Sequence, residues 1–224
     1  MQEVFVNKKD MVRAFFGGSF DPPHPGHLAV AKGALASGMC DHIIWVPAFA
    51  PPHKLNARRA SFDDRMAMVS MVISGEENMS VSPVESKLEQ YPTYSIAVME
   101  AIERSEGFRP ALLIGGDSLL QLHTWHRAQE LVENYFILTY PRKDSPVSAD
   151  ILRKFWDDKI VKKLLSGMIP GKFFEISSTE IRNSMEKNAI EGNINNVTKT
   201  FPEVDEYIKL HRLYGKPQTK DSDL

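Results

Sequence analysis

A chain of 224 residues that is 42% apolar has enough material for one sizeable core or two small ones. Its formal net charge of −2 leaves no basic excess for gripping nucleic acid, and no apolar window approaches the length of a membrane span. Cys40 is the single cysteine, which excludes an internal disulfide and fits a reducing, cytoplasmic compartment.

Residues 1–10 read as a short N-terminal extension, broken by Lys8, Lys9 and Asp10 before a secretory signal can develop. Val12 to Phe16 is a buried strand, followed by Gly17 and Gly18 and a Pro-rich turn through Asp21, Pro22 and Pro23. From Gly26 the apolar residues Leu28, Ala31 and Leu35 recur at helical spacing, with His24 and His27 at the helix start. His42 to Val46 is a second strand, closed by Pro47. Ser61 caps the next helix, with Asp64 completing a capping-box pattern, and that helix runs through Met66, Val69 and Ile73 to Gly75.

Met79 to Pro83 is a short third strand, Tyr94 to Arg104 a helix, and Ala111 to Ile114 a fourth strand ending in Gly115-Gly116-Asp117. A helical stretch over Gln129 to Glu133 leads to a fifth strand, Tyr135 to Tyr140. One charged helical segment is predicted over 149–165 and a sixth strand over Lys172 to Ile176. Ser177 and Ser178 open a helix through Ile181 and Met185, and Pro202 starts a last one ended by Gly215. The tail 216–224 reads as disordered. Strands alternating with helices favour a parallel sheet covered on both faces, with ligands at the carboxyl ends of the strands.

The stretch after the first strand has a physical reading as a phosphate cradle. Glycines let a backbone run close to a ligand, a helix start offers unsatisfied N–H groups, and two imidazoles aim donors at one place. A glycine pair and a His-x-x-His turn also occur without any site, and neither the dinucleotide nor the P-loop fingerprint is present. From the residues alone the two readings stand level.

Gly17-Gly18-Ser19-Phe20-Asp21-Pro22 with His24-Pro25-Gly26-His27 resembles the GGSFDP…HxGH signature of the HxGH nucleotidyltransferase superfamily. Ile176-Ser177-Ser178-Thr179-Glu180-Ile181-Arg182 resembles the ISSTxIR motif of the same superfamily, whereas Pro51-Pro52-His53-Lys54 and Gly115-Gly116-Asp117-Ser118-Leu119-Leu120 with Thr124-Trp125 resemble the bacterial nicotinate mononucleotide adenylyltransferases within it. The resemblance spans most of the chain from Met11 to Gly215. It implies an α/β, Rossmann-like doubly wound, mostly parallel sheet with helices on both faces and a small helical C-terminal part, about 177–215. Residues 11–215 would then form a single nucleotidyltransferase domain.

The implied reaction moves the adenylyl group of ATP to nicotinate mononucleotide, releasing pyrophosphate, in NAD biosynthesis. Nicotinamide mononucleotide, another phosphorylated acceptor such as phosphopantetheine, and a non-catalytic nucleotide-binding module remain as alternatives. By resemblance His24, His27, Arg182 and Lys54 carry the chemistry. ATP would lie against Gly17, Gly18, Ser19, Phe20, Gly115, Asp117, Ile176, Ser177, Ser178 and Thr179. The mononucleotide would meet Thr93, Tyr94, Ser95, Trp125, His126 and Phe49, its ring stacking on Trp125 and its carboxylate reaching backbone N–H groups near Trp125 and His126.

Two places depart from the family pattern: Ala48-Phe49 replaces polar residues near the ring, and Tyr140-Pro141-Arg142 replaces an Arg-Pro-Gly run. Mg²⁺ is expected with the triphosphate rather than on a protein site. A zinc site on His24, His27 and His53 is disfavoured, because the Pro-rich spacing has no helical i, i+4 pair and no acid or Cys completes a set. No nucleic-acid or membrane partner is expected, and a homo-oligomer is compatible with the sequence without being required by it.

Overall fold

The computed structural model describes residues 11–49, 60–88, 93–170, 178–191 and 199–214. The predicted extension 1–10, the segment with Pro51, Pro52, His53 and Lys54, and the residues Tyr91 and Pro92 lie outside that range. So do the predicted strand over Lys172 to Ile176, Ser177, Gly215 and the tail.

Among the described residues five strands, β1 (Arg13–Gly18), β2 (His42–Pro47), β3 (Met79–Val81), β4 (Ala111–Gly115) and β5 (Ile137–Tyr140), pair in the order β3-β2-β1-β4-β5. Every pairing is parallel. Each strand is short and buried on both sides, as a parallel sheet between helical layers requires. Side chains alternate strictly between the faces. Ala14, Phe16, Ile43, Trp45, Leu113 and Leu138 enter one core, whereas Phe15, Ile44, Val46, Leu112, Ile114 and Ile137 enter the other.

The first face is covered by α1 (Pro25–Ala36), α2 (Phe62–Val72) and α9 (Pro202–Leu210), through Val30, Ala31, Met68, Val69, Val204 and Ile208. The second is covered by α3 (Ser95–Glu106), α4 (Gly116–Gln121), α5 (Ala128–Asn134), α6 (Ala149–Leu152) and α7 (Asp158–Ser166). One further helix, α8 (Ser178–Glu191), begins beside the loop that follows β1. Among the described residues no helix is long and apolar enough to cross a membrane.

Local signals account for most boundaries. Pro25 occupies the first turn of α1, where its missing N–H is harmless. The Ser61 hydroxyl accepts the Asp64 N–H at 3.0 Å, and Asp64 Oδ2 accepts the Ser61 N–H at 3.2 Å, completing the predicted capping box. The segment predicted as one helix over 149–165 is two. Its charged face hides a stop, because Asp157 caps a new helix by accepting the Ile160 N–H at 2.8 Å. Helix α4 was not predicted; at six residues it is too short to carry a periodic signal. Beyond α7, Met168 bridges Thr139 in parallel, so the chain runs alongside β5 as it leaves the described range.

The order β3-β2-β1-β4-β5 reverses direction between β1 and β4. That switch opens a crevice outside the carboxyl ends of those two strands. Gly18 ends β1 and Gly115 ends β4, so both glycine pairs face the same crevice.

Candidate active site

The loop leaving β1 is the most firmly held piece of irregular backbone in the site. Phe20 adopts φ 45°, a left-handed conformation that costs a side-chain-bearing residue about 1 kcal/mol or more. Its ring is 2% exposed and packs edge-on against Phe16 and His27, at centroid distances of 5.3 and 5.0 Å. Phe20 was expected against ATP; with the ring committed to the core, it has only backbone to offer there. The glycine pair has a packing reason as well. A Cβ on Gly17 would sit 2.8 Å from the Phe15 ring, and one on Gly18 2.9 Å from the Phe20 ring.

The next residues are pinned from three other parts of the chain. Arg65 of α2 donates to the Ser19 carbonyl at 3.0 Å, and Arg182 of α8 donates to the Asp21 carbonyl at 2.5 Å. Ser178 donates its hydroxyl to the Pro22 carbonyl at 3.0 Å. The Asp21 carboxylate, wholly buried, accepts the Ala60 N–H at 3.1 Å and the Tyr214 hydroxyl at 2.5 Å. The Asp21–Pro22 peptide bond is cis.

This loop delivers the two imidazoles. His24 and His27 stack at 3.7 Å between centroids, with 27° between their planes. The His24 backbone N–H donates to His27 Nδ1 at 3.2 Å. Because Nδ1 accepts, the proton of a neutral His27 sits on Nε2, which becomes a directed donor. Phe16, Phe20 and Trp45 surround the His27 ring edge-on.

Helix α8 brings Arg182 and Thr179 alongside, the Arg182 guanidinium donating to the Thr179 hydroxyl at 3.2 Å. Across the crevice, Asp117 in the first turn of α4 lies 3.1 Å from Arg142. Among the described residues no group of three or more His, Cys, Asp or Glu side chains is placed to hold a metal ion.

The predicted mononucleotide residues gather at the start of α3 and the turn before α5. Tyr94 caps α3, and its ring stacks on the exposed His126 ring at 4.2 Å and 24°. Thr93 and Ser95 flank Tyr94, both half-buried. Trp125 is half-buried and packs against the second core. One expectation is corrected: the Trp125 N–H donates to the Leu122 carbonyl at 3.0 Å, because a tight turn over Leu122–Thr124 uses it. Phe49 meets Phe62 edge-on at 5.0 Å, and its N–H donates to Glu85 at 2.8 Å.

A family model described as cytidylyltransferase-like matches residues 15–184. A protein of Synechococcus sp. strain JA-3-3Ab named "Probable nicotinate-nucleotide adenylyltransferase" is 33% identical over 90% of this chain and 93% of its own. One of the same name from Gloeobacter violaceus is 37% identical over 76% of this chain and 82% of its own. The fold is that of Plasmodium falciparum nicotinic acid mononucleotide adenylyltransferase complexed with NaAD, at TM-score 0.69 and 20% identity over 91% of this chain and 97% of that one. The chain belongs to the cytidylyltransferase-like family, among the nicotinate-nucleotide adenylyltransferases.

For an adenylyltransferase of this family, the charge state of the imidazole pair matters. Burial first, then the nearby Arg142 charge, lowers His24 to about 4. Burial, then His24 and Arg142, holds His27 well below its ordinary value. Both rings are therefore neutral near pH 7. An unfolded chain takes up these protons below about pH 6.5, whereas the folded one resists until far lower. Stability is thus complete above about pH 6.5 and is lost as pH falls towards the folded values. Urea unfolding should give an unfolding free energy lower at pH 5 than at pH 7, by about 2 kcal/mol for His24 alone. His24→Gln should flatten part of that slope; an unchanged slope would contradict neutral burial of the ring.

Three residues of the adenylyltransferase site escaped the sequence reading. Arg65 and Tyr214 hold the loop after β1 from positions far along the chain, with no motif to single them out. Arg142 was noted only as a departure from the family's usual run, yet it lies on the crevice beside Asp117.

Proposed function

We propose that this enzyme transfers the adenylyl group of ATP to nicotinate mononucleotide, forming nicotinate adenine dinucleotide and pyrophosphate. The observation that carries the reading is the stacked His24–His27 pair at the sheet's switch point, with the start of α8 docked on the same loop. A phosphate oxygen of the mononucleotide attacks the α-phosphorus of ATP. The new P–O bond forms as the bond to the bridging α–β oxygen breaks, and the electron pair leaves with pyrophosphate. The attacking oxygen is already anionic, so no general base is required. Catalysis reduces to alignment and to stabilising charge on the phosphoryl oxygens.

His27 donates from Nε2 to an α-phosphate oxygen, and His24 assists beside it. A neutral donor tied at its other nitrogen keeps its orientation through the reaction. Arg182, Ser178, Thr179, Ser177 and Ile176 hold the outer phosphates, with Lys54 contributing charge. Gly17, Gly18 and Gly115 let the nucleotide approach the backbone closely.

A Mg²⁺ ion carried by the triphosphate would supply neutralising charge there. The Asp117 carboxylate at the crevice suits a hydrated ion better than a bare one. Residues 11–215 act as one unit in this reading, since both α8 and Tyr214 close on the loop after β1. The buried thiol of Cys40, raised to about 11 by burial and Asp41, suits a reducing cytoplasm.

The nicotinate ring stacks on Trp125, with Tyr94 and His126 beside it, and its carboxylate is received by backbone at His126. Trp125→Ala should raise KM for the mononucleotide by about tenfold with a smaller change in KM for ATP. Equal KM values in mutant and wild type would remove Trp125 from the ring site; a melting curve controls for its packing against the core. The overall reaction is tested by supplying ATP and Mg²⁺ with nicotinate mononucleotide, nicotinamide mononucleotide or phosphopantetheine. Dinucleotide should form fastest with the nicotinate acceptor. ATP binding with no product from any acceptor would overturn the reading.

A further inference from the structure

The loop after β5 brings a cation to the crevice that no motif of the family reading uses. Gly115 pairs with Tyr140 across β4 and β5, and a Cβ on Gly115 would meet the Tyr140 hydroxyl at 3.0 Å. A Cβ on Gly116 would lie 3.1 Å from the Ser145 carbonyl and 3.6 Å from the Arg142 N. The second glycine pair therefore lets this loop rest directly on the start of α4, at the switch point.

There the Arg142 guanidinium lies 3.1 Å from the Asp117 carboxylate through Nε and donates to the Tyr140 hydroxyl at 3.0 Å through its other end. Both members of the ion pair are about half exposed, at 46% and 47%. The contacting Asp117 Oδ1 is buried without a hydrogen bond while much of both side chains is in water, so the pair is held by charge alone and a second anion can compete for the guanidinium. A triphosphate carries more charge than a carboxylate and matches the guanidinium fork with two oxygens at once. Arg142 also stands near enough to both imidazoles for its charge to be felt by each.

We infer that Arg142 is a triphosphate-binding residue of this chain, parked on Asp117 and Tyr140 in the nucleotide-free enzyme and transferred to phosphate oxygens when ATP enters. The inference rests on ATP being the nucleotide substrate. The exchange also frees the Asp117 carboxylate, which then faces the ribose hydroxyls or the hydrated ion of the incoming nucleotide. Arg142 thus approaches the phosphates from the β5 side, opposite Arg182 on α8.

Calorimetric titration of ATP and of adenosine into wild type, Arg142→Ala and Arg142→Lys tests this. Loss of a charge-assisted pair should weaken ATP by roughly 10- to 100-fold in Arg142→Ala while adenosine affinity stays within about twofold. Arg142→Lys should fall between, since it keeps the charge and loses the fork. Unchanged ATP affinity in Arg142→Ala, or adenosine weakened as much as ATP, would overturn the assignment. Should Arg142→Ala not fold, Arg142→Lys carries the same comparison. An enzyme with this Arg142 dependence that forms no dinucleotide would leave the assignment standing and overturn the acceptor reading instead.

Discussion

His27→Ala is expected to lower kcat by roughly 10²–10³ while leaving KM for either substrate within a few-fold. The ring sits in a socket formed by Phe16, Phe20 and Trp45, with its Nδ1 occupied by the His24 N–H. A socket of that kind fixes where the Nε2 proton points before substrate arrives. The donor is therefore most useful where charge develops, at the α-phosphate oxygens. Removing it takes away transition-state stabilisation more than ground-state affinity. The same socket packs the ring against three core aromatics, so His27→Ala is also expected to lower the melting temperature. Steady-state kinetics with a parallel melt decides the matter. Near-normal kcat would take His27 out of the mechanism, and a collapsed fold would leave the kinetics of His27→Gln as the test.

Asp21→Ala should cost about 2–4 kcal/mol of stability and most of the activity. The side chain is wholly buried and serves both the Ala60 N–H and the Tyr214 hydroxyl. Deleting it strands both donors in a dry place, where each unsatisfied group costs about 1–3 kcal/mol. Arg182 loses a nearby carboxylate at the same time, at 4.0 Å. Tyr214→Phe is the milder companion: it removes one hydroxyl and should cost about 1 kcal/mol. Urea unfolding and kcat measured on both variants give the answer. If Tyr214→Phe matches wild type in both, the hydroxyl is not holding the loop.

Much of this is legible in the amino-acid sequence alone. The strands announced themselves as short apolar runs closed by glycine or proline, and α1 and α2 by periodicity and caps. Among the described residues His24, His27, Ser178 and Arg182 meet at the loop after β1, on the side where a doubly wound sheet places its strands' carboxyl ends. What stayed hidden was non-local. The partner of Asp21 lies 193 positions away at Tyr214, and nothing in either neighbourhood encodes the pairing. Arg142 looked like a defect in a motif because its value depends on where the loop folds, against a glycine pair on another strand. Trp125 illustrates a subtler limit: its ring position followed from the motif, but the fate of its N–H depended on a turn only three residues long. The break between α6 and α7 was within reach, since Asp157 three residues before Ile160 is a capping signal masked by its charged surroundings.

The contact between Tyr214 and Asp21 has a bearing on how the enzyme comes into being. The Asp21 carboxylate is synthesised 193 positions ahead of the hydroxyl that ties it down. A polypeptide stopped short of Tyr214 would carry the signature motifs and still lack that tie. The elbow is thus fastened by late-made chain rather than by the motifs themselves.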